Sequence, residues 1–340
     1  MTIQENVSLK PYNTFGIDAK ADYLITYNSV DDLREVIESD IVRSNQVLAM
    51  GGGSNLLFLS DFKGAILQSD IKFISPIDEN EDSVLIEIGA GVVWDDLVAH
   101  CVEKSWYGIE NLSLVPGHVG AAAVQNIGAY GVEIKDVIER VNALEISSNK
   151  SVSFSQAECK YGYRDSIFKN QYKGKYIVTS VLLRLSKTPV YSFEYCHLET
   201  AVRDKGEITL QNIRNTIIEI REQKLPDPAK QGNGGSFFKN PVISKGSFLE
   251  LQQQYPAISH YYISATEEKI SAAWLIDQCG WKGKHIGNAG VHDKQPLVLI
   301  NMGNATGKEI ADLAAEIQLS VKNKFGIELH PEVNYISCKY

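Results

Sequence analysis

Apolar residues along the chain change their spacing several times, and each change predicts an element. Val30–Glu38, Trp94–Lys104 and Leu210–Lys224 carry them at helical intervals. Gly307–Phe325 is the strongest such stretch, with Ile310, Leu313, Ala314, Ile317 and Val321 on one face. Ser264–Cys279 also reads as an amphipathic helix. Short apolar runs punctuated by glycine predict strands at Ala21–Thr26, Gln46–Met50, Gly64–Gln68, Val84–Ile88, Val141–Ile146, Tyr176–Leu185 and Leu297–Ile300. Gly326–Ile336 reads as a closing strand. The elements do not alternate as regular βαβ units, so the expected class is α+β. Pro226, Asp227 and Pro228 end the helix before them and mark the clearest internal boundary.

Composition narrows the picture. A chain of 340 residues with 44% hydrophobic and 22% charged residues can build a sizeable core, and its length suggests about two domains. The net charge of -9 disfavours nucleic acid or an anionic membrane as main partner. Apolar stretches are too short to cross a bilayer, and Met1–Lys10 lacks the apolar core of a secretory signal. Cys101, Cys159, Cys196, Cys279 and Cys338 are scattered, which argues against a disulfide framework or a structural zinc site. A reduced, cytoplasmic, soluble protein is the expectation.

Several familiar sites are missing. No G-x-G-x-x-G opens a helix, and neither H-E-x-x-H nor G-x-S-x-G occurs. Gly303–Glu309 looks like a phosphate loop but is one residue short and reads as a turn capping the long helix. His285 and His292 read as two loop histidines, with no metal pair expected.

Two glycine-rich segments remain. Gly51, Gly52, Gly53, Ser54 and Asn55 follow an apolar run and form either an anion-binding nest or a plain tight turn. Glu110–Gly131 holds Gly117, Gly120, Gln125, Asn126, Ala129 and Tyr130. That run either wraps a diphosphate and a flat ring or makes a tight helix–sheet contact. Together the two imply an extended ligand with a diphosphate in its middle. Three further motifs carry polar groups: Tyr161–Ser166 with Arg164, Asn233–Pro241 with Ser236, and His330–Glu332. Each alone reads as structural, and spacing cannot bring them together.

With these motifs in this order, from Asn13–Gly16 through Gly51–Leu57, Gly108–Gly131, Tyr161–Ser166, Lys224–Pro228, Gly234–Pro241, Ala272–Gly290 and Val298–Asn301 to Pro331–Glu332, the chain resembles the UDP-N-acetylenolpyruvoylglucosamine reductase family along nearly its whole length. The resemblance implies a vanillyl-alcohol-oxidase-type module of two FAD-binding subdomains, 1–70 and 71–225, and an α+β substrate domain, 226–340. It implies noncovalent FAD lined by Gly51, Gly52, Gly53, Ser54, Asn55, Gly117, Gly120, Gln125, Asn126, Ala129 and Tyr130. NADPH is the implied hydride donor, and a UDP-sugar enolpyruvyl ether the implied substrate of a monomeric enzyme of peptidoglycan precursor synthesis.

Catalytic roles carry over to three positions. Ser236 would protonate carbon 2 of the enolpyruvyl group, and Arg164 and Glu332 would stabilise the enol. A bare carboxylate would repel an enolate, so Glu332 is expected to act protonated or through hydrogen bonds. Tyr195, Lys224, Asn240, Tyr261, Lys282 and Gln295 are the implied substrate-holding residues. Tyr195 marks the family's longer, tyrosine-loop class, although Cys196 and His197 depart from its usual pattern, and Tyr262 is an alternative to Tyr261. The histidine and cysteine positions at which some relatives of the module attach flavin have no evident match, although His118 lies inside the second glycine segment. Two rival readings are an FAD-dependent oxidase of the same module and a non-catalytic UDP-sugar binding protein.

Overall fold

Backbone pairing and local capping account for most of the elements in the computed structural model, which describes residues 1–193 and 198–337. The chain divides into two compact units whose segments interleave. The first comprises 1–7, 21–53 and 63–221; the second comprises 8–20, 54–62 and 222–340.

Two sheets build the first unit. One has the order Thr2–Ser8, Lys20–Tyr27, Phe62–Ser69, Gln46–Met50. Its last pair is parallel, Gln46 opposite Gly64 through Met50 opposite Gln68. The helix Val30–Glu38 packs Leu33, Val36 and Ile37 on this sheet, and its start is fixed by Ser29, whose side chain accepts from the Asp32 amide. The second sheet is antiparallel, in the order Ser151–Ser155, Ile138–Glu145, Tyr176–Ser186, Ser83–Gly89, Ile74–Glu79. Its central strand, Tyr176–Ser186, is buried at nearly every position, which explains a continuous apolar run without alternation.

In the second unit, Asn233–Ser236, Val298–Asn301, Ala289–Val291 and His285–Ile286 form one antiparallel sheet. Val242–Ser244, Glu267–Ile270 and His260–Tyr262 form another, and Asn334–Ile336 pairs in parallel with Leu56–Phe58. The helix Gly307–Phe325 buries the predicted face and opens with a capping box between Thr306 and Glu309. The turn before it is thus a helix cap.

Two expectations need correction. The segment expected as one helix, Ser264–Cys279, is a strand, Glu267–Ile270, followed by a helix, Ala272–Gln278. Glu268 in that strand is buried and bonded to Lys245 and His260, and Ser271 caps the helix through the Trp274 amide. These polar contacts override the apolar period. The closing strand is only Asn334–Ile336; Gly326, with φ +69°, ends the helix, and Pro331 makes an isolated bridge to Phe238. Within the compact units, 8–20 and 54–62 group with the C-terminal part, and the last boundary falls between Arg221 and Glu222. No described helix is long and apolar enough to cross a membrane.

Glu110 is a buried carboxyl in the first unit, accepting from the Gly108 amide at 2.7 Å. Burial raises its pKa above the usual carboxylate range. The folded state therefore holds this proton more tightly than the unfolded state. Its contribution to stability is complete below the unfolded pKa and declines as pH rises through the folded one. Glu110→Gln keeps an acceptor for Gly108 and removes the charge. Its Tm relative to wild type should rise as pH is raised from about 4 to 7; a Tm difference independent of pH would contradict this.

Candidate functional site

The two glycine segments meet within the first unit. The parallel pairing of Gln46–Met50 delivers Gly51–Gly53 at the end of its strand. The second segment is pinned by backbone bonds: Trp94 N–H to Gly117 O at 2.9 Å, Val119 N–H to Val92 O at 2.9 Å and Gly120 N–H to Ala90 O at 3.0 Å. A Cβ on Gly51 would lie 3.0 Å from the Ala121 Cβ, and one on Gly52 would lie 3.2 Å from the Gly117 Cα. Side chains at these positions would push the segments apart. Gln68 Nε2 donates to Gly51 O at 3.1 Å and steadies the turn.

Other residues of the second segment are held by the protein itself. A Cβ on Gly120 would meet that of Ala90 at 2.8 Å, so helix–sheet packing accounts for this glycine. Asn126, buried and left-handed at φ +48°, donates to Glu133 Oε2 at 3.0 Å and to Gly162 O at 2.8 Å, and its Oδ1 accepts from the Lys135 amide at 3.2 Å. Its side chain is thereby committed to the fold. Gln125 ends the helix Val119–Gln125, Ala129 sits in the short hairpin Gly128–Glu133, and Tyr130 follows at φ +48° with its carbonyl accepting from Asn111 Nδ2 at 2.9 Å.

Arg164 joins this group. It occupies a tight turn in which Gly162 and Asp165 exchange backbone bonds of 3.1 Å. Its guanidinium donates to Gly128 O and, at 3.5 Å, to Asn126 O, and it lies 5.3 Å from the Tyr163 ring. Ser166 Oγ donates to Val124 O at 2.6 Å and docks the turn on the glycine-rich run. Two motifs separated in sequence thus share one neighbourhood.

Ser236 and Glu332 come together in the second unit. Glu332 N–H donates to Phe237 O at 2.8 Å, and Lys239 N–H donates to His330 O at 2.9 Å, so the two segments run antiparallel. Ser236 is exposed at the end of its strand opposite Val298, whereas Glu332 is half-buried. Asn55 Nδ2 donates to Glu332 O at 3.2 Å, and Asn334 N–H donates to Asn55 O at 3.0 Å, while Ser54 O accepts from Thr14 Oγ1 at 3.4 Å. The end of the first glycine segment is therefore tied to Glu332.

Gln295 lies in the turn before Val298–Asn301, where its Oε1 accepts from the Leu297 amide at 3.4 Å. Leu297 O in turn accepts from Phe237 N–H at 2.7 Å, which puts this turn beside Ser236. Asn240 follows the same segment, with its Oδ1 accepting from the Ala272 amide at 2.9 Å. The remaining expected substrate residues are less closely tied. Tyr261 sits on an edge strand opposite Lys269, next to Tyr262, which is 71% exposed. Lys224 ends its helix and Lys282 lies in a turn, both exposed. Tyr195 falls outside the described residues.

Sequence reasoning missed two arginines of the first unit. Arg214 makes a bidentate pair with Asp95 at 2.7 and 2.8 Å. Arg221 shares the field of Asp95 and hydrogen-bonds Tyr130, and its buried Nε has no partner. Burial lowers its pKa from the usual value. Two guanidinium groups facing one carboxylate leave positive charge beside Tyr130, an environment suited to an anion. Their spacing of seven on one helix face was the available signal. Asn13–Gly16 proves to be support: Thr14 O accepts from Asn233 N–H at 2.9 Å, and Phe15 packs edge-to-face on Phe237 with ring centroids 6.2 Å apart.

Comparison with known proteins shows the family and the fold. Residues 21–148 match the FAD binding domain family, and residues 227–336 match the C-terminal domain of UDP-N-acetylenolpyruvoylglucosamine reductase. A UDP-N-acetylenolpyruvoylglucosamine reductase of Bacteroides fragilis is 50% identical over 98% of this chain and 100% of its own. The crystal structure of the Thermus caldophilus reductase aligns with a TM-score of 0.70 at 23% identity, covering 98% of this chain and 99% of that one. A 4-ethylphenol oxidase from Gulosibacter chungangensis aligns at 0.52 and 13% identity, over 93% of this chain and 82% of its own. The fold is a vanillyl-alcohol-oxidase-type FAD module followed by a C-terminal α+β domain, and the chain is an FAD-binding oxidoreductase. It belongs to the UDP-N-acetylenolpyruvoylglucosamine reductase family.

The residues present fit FAD. Gly51 and Gly52 leave no room for a side chain against Gly117 and Ala121, and the Nδ1 of His118 beside them is buried without a partner. Among the described residues, no group of three His, Cys, Asp or Glu is placed to hold a metal. Overpacking typically costs about 1–3 kcal/mol. Gly52→Val should therefore weaken FAD binding about tenfold or more while leaving the far-UV circular dichroism unchanged. Titration of apoprotein by flavin fluorescence checks this, and wild-type affinity would refute it.

Proposed function

We propose that this chain reduces UDP-N-acetylglucosamine-enolpyruvate to UDP-N-acetylmuramate with NADPH, in peptidoglycan precursor synthesis, as a cytoplasmic monomer with noncovalent FAD. The observation that carries this reading is the backbone pairing that sets the Ser236 segment beside Glu332, with Asn55 bonded to Glu332. It gives a reason for three distant motifs to occur in one chain.

Held along Gly51–Asn55 and Gly117–Tyr130, FAD would supply the two-electron chemistry that links NADPH to hydride addition at carbon 3 of the enolpyruvyl group. Hydride addition at carbon 3 leaves an electron pair at carbon 2, delocalised into the adjacent carboxylate, and one proton must reach carbon 2 to complete the product. Arg164 is the cation for that developing charge, with its guanidinium oriented by two backbone carbonyls. Ser236 delivers the proton from an exposed hydroxyl at the end of its strand. Serine is a weak acid, so this transfer needs a cation or relay at its side; Lys239, three residues on, and Lys224 are the candidates. Glu332 shares in stabilising the enol through hydrogen bonding. Lys224, Asn240, Tyr261, Lys282 and Gln295 hold the substrate, with Tyr195 closing over the nucleotide.

Ser236→Ala should retain FAD reduction by NADPH in stopped-flow and lose at least about a hundredfold in substrate reduction, the usual size of a general-acid contribution. Equal loss in both half-reactions, or in neither, would remove Ser236 from the proton step. NADPH consumption that depends on the enolpyruvyl substrate supports the reductase, whereas consumption sustained by oxygen alone supports an oxidase. Acid precipitation should release all the flavin into solution; colour retained on the protein would show a covalent link.

A further inference from the structure

We propose that His118 is a cofactor-binding residue of this chain, donating its Nδ1 hydrogen to a phosphate oxygen of bound FAD. Its ring lies against the first glycine segment: positions for a Cβ on Gly51 and on Gly52 fall 3.6 Å from the His118 Cβ and Cδ2 respectively. Nδ1 is buried and has no hydrogen-bond partner. A buried polar atom left so is costly, and native structures seldom carry one without a reason.

Local structure does not use this nitrogen. His118 occupies the N-cap of Val119–Gln125 yet makes no side-chain cap. The first two amides of that helix, Val119 and Gly120, already donate to Val92 O and Ala90 O. Two of the donors that a helix start offers an anion are thus taken, and the imidazole N–H would supply another.

Charge around the ring favours an anionic acceptor. Burial first, then Lys72, lowers the His118 pKa, with Asp70 opposing. At neutral pH the ring is uncharged and carries one N–H, which serves as a directional donor. Lys72 and Asp70 pair at 2.5 Å, so Lys72 is partly neutralised. The backbone turn at Gly51–Gly53 and this N–H would converge on the same oxygen-rich group, for which the diphosphate of the dinucleotide is the matching part.

Binding of FAD to apoprotein, followed by flavin fluorescence and by ³¹P NMR of the bound cofactor, tests the proposal without reference to turnover. A failure here is therefore distinct from a failure of the reductase reading. His118→Asn, whose amide nitrogen can take the place of Nδ1, should bind FAD within about threefold of wild type. His118→Phe and His118→Ala should both weaken binding about tenfold or more, the size of one hydrogen bond to a charged group. The diphosphate resonances should move in the Phe variant. Wild-type affinity in His118→Phe, affinity as weak in Asn as in Phe, or unshifted phosphorus resonances would each overturn it. If His118→Ala fails to fold, the Asn and Phe variants decide the question.

Discussion

The close approach of backbones at Gly89–Val92 is the constraint on which the first unit depends. A Cβ on Gly89 would sit 2.2 Å from Ile71 O, one on Gly91 would sit 2.5 Å from Ser69 O, and one on Gly120 would meet Ala90 at 2.8 Å. Nothing larger than hydrogen fits at these three places without moving main chain. The short stretch receives the link between the two sheets on one side and the helix Val119–Gln125 on the other. Its carbonyls Ala90 O and Val92 O accept from the first two amides of that helix. The second glycine segment is seated by this crossing, and only then can it face Gly51 and Gly52.

The second unit has a comparable junction. Asn55, Phe237 and Glu332 come from three remote stretches; a backbone bond joins Phe237 to Glu332, the Asn55 side chain donates to Glu332 O, and Phe15 packs edge-to-face on Phe237. Reactive side chains placed on paired backbone are held more accurately than side chains on a loose loop. The pairing also explains why the chain interleaves: 54–62 leaves the first glycine segment and runs beside the C-terminal strand.

A net charge of -9 describes the chain as a whole, while the first unit collects Arg164, Arg214 and Arg221 around the Tyr130 turn. Local pairing decides how much of that charge is available. Asp95 pairs with Arg214 through both oxygens and also shares the field of Arg221, so one carboxylate faces two guanidinium groups. A dinucleotide and a UDP-sugar are anions, and such a chain can hold them only where its cations are concentrated.

By itself the sequence determined the elements whose information is local. Gly307–Phe325 and Leu210–Lys224 were legible with correct bounds because one apolar face and clear stop signals lie within a few turns. The candidate site was legible through glycine-rich motifs and through family likeness, since such runs need special backbone wherever they occur. Tertiary structure decided the rest. Ser264–Cys279 became strand and helix because buried Glu268 pairs with Lys245 and His260, partners that no periodicity reveals. It showed Asn126 to be committed to the fold and Gly120 to packing, and it brought Ser236 to Glu332 across 96 residues. Contacts between remote segments depend on sheet register and close packing, and neither is written in the spacing of residues along one stretch of chain.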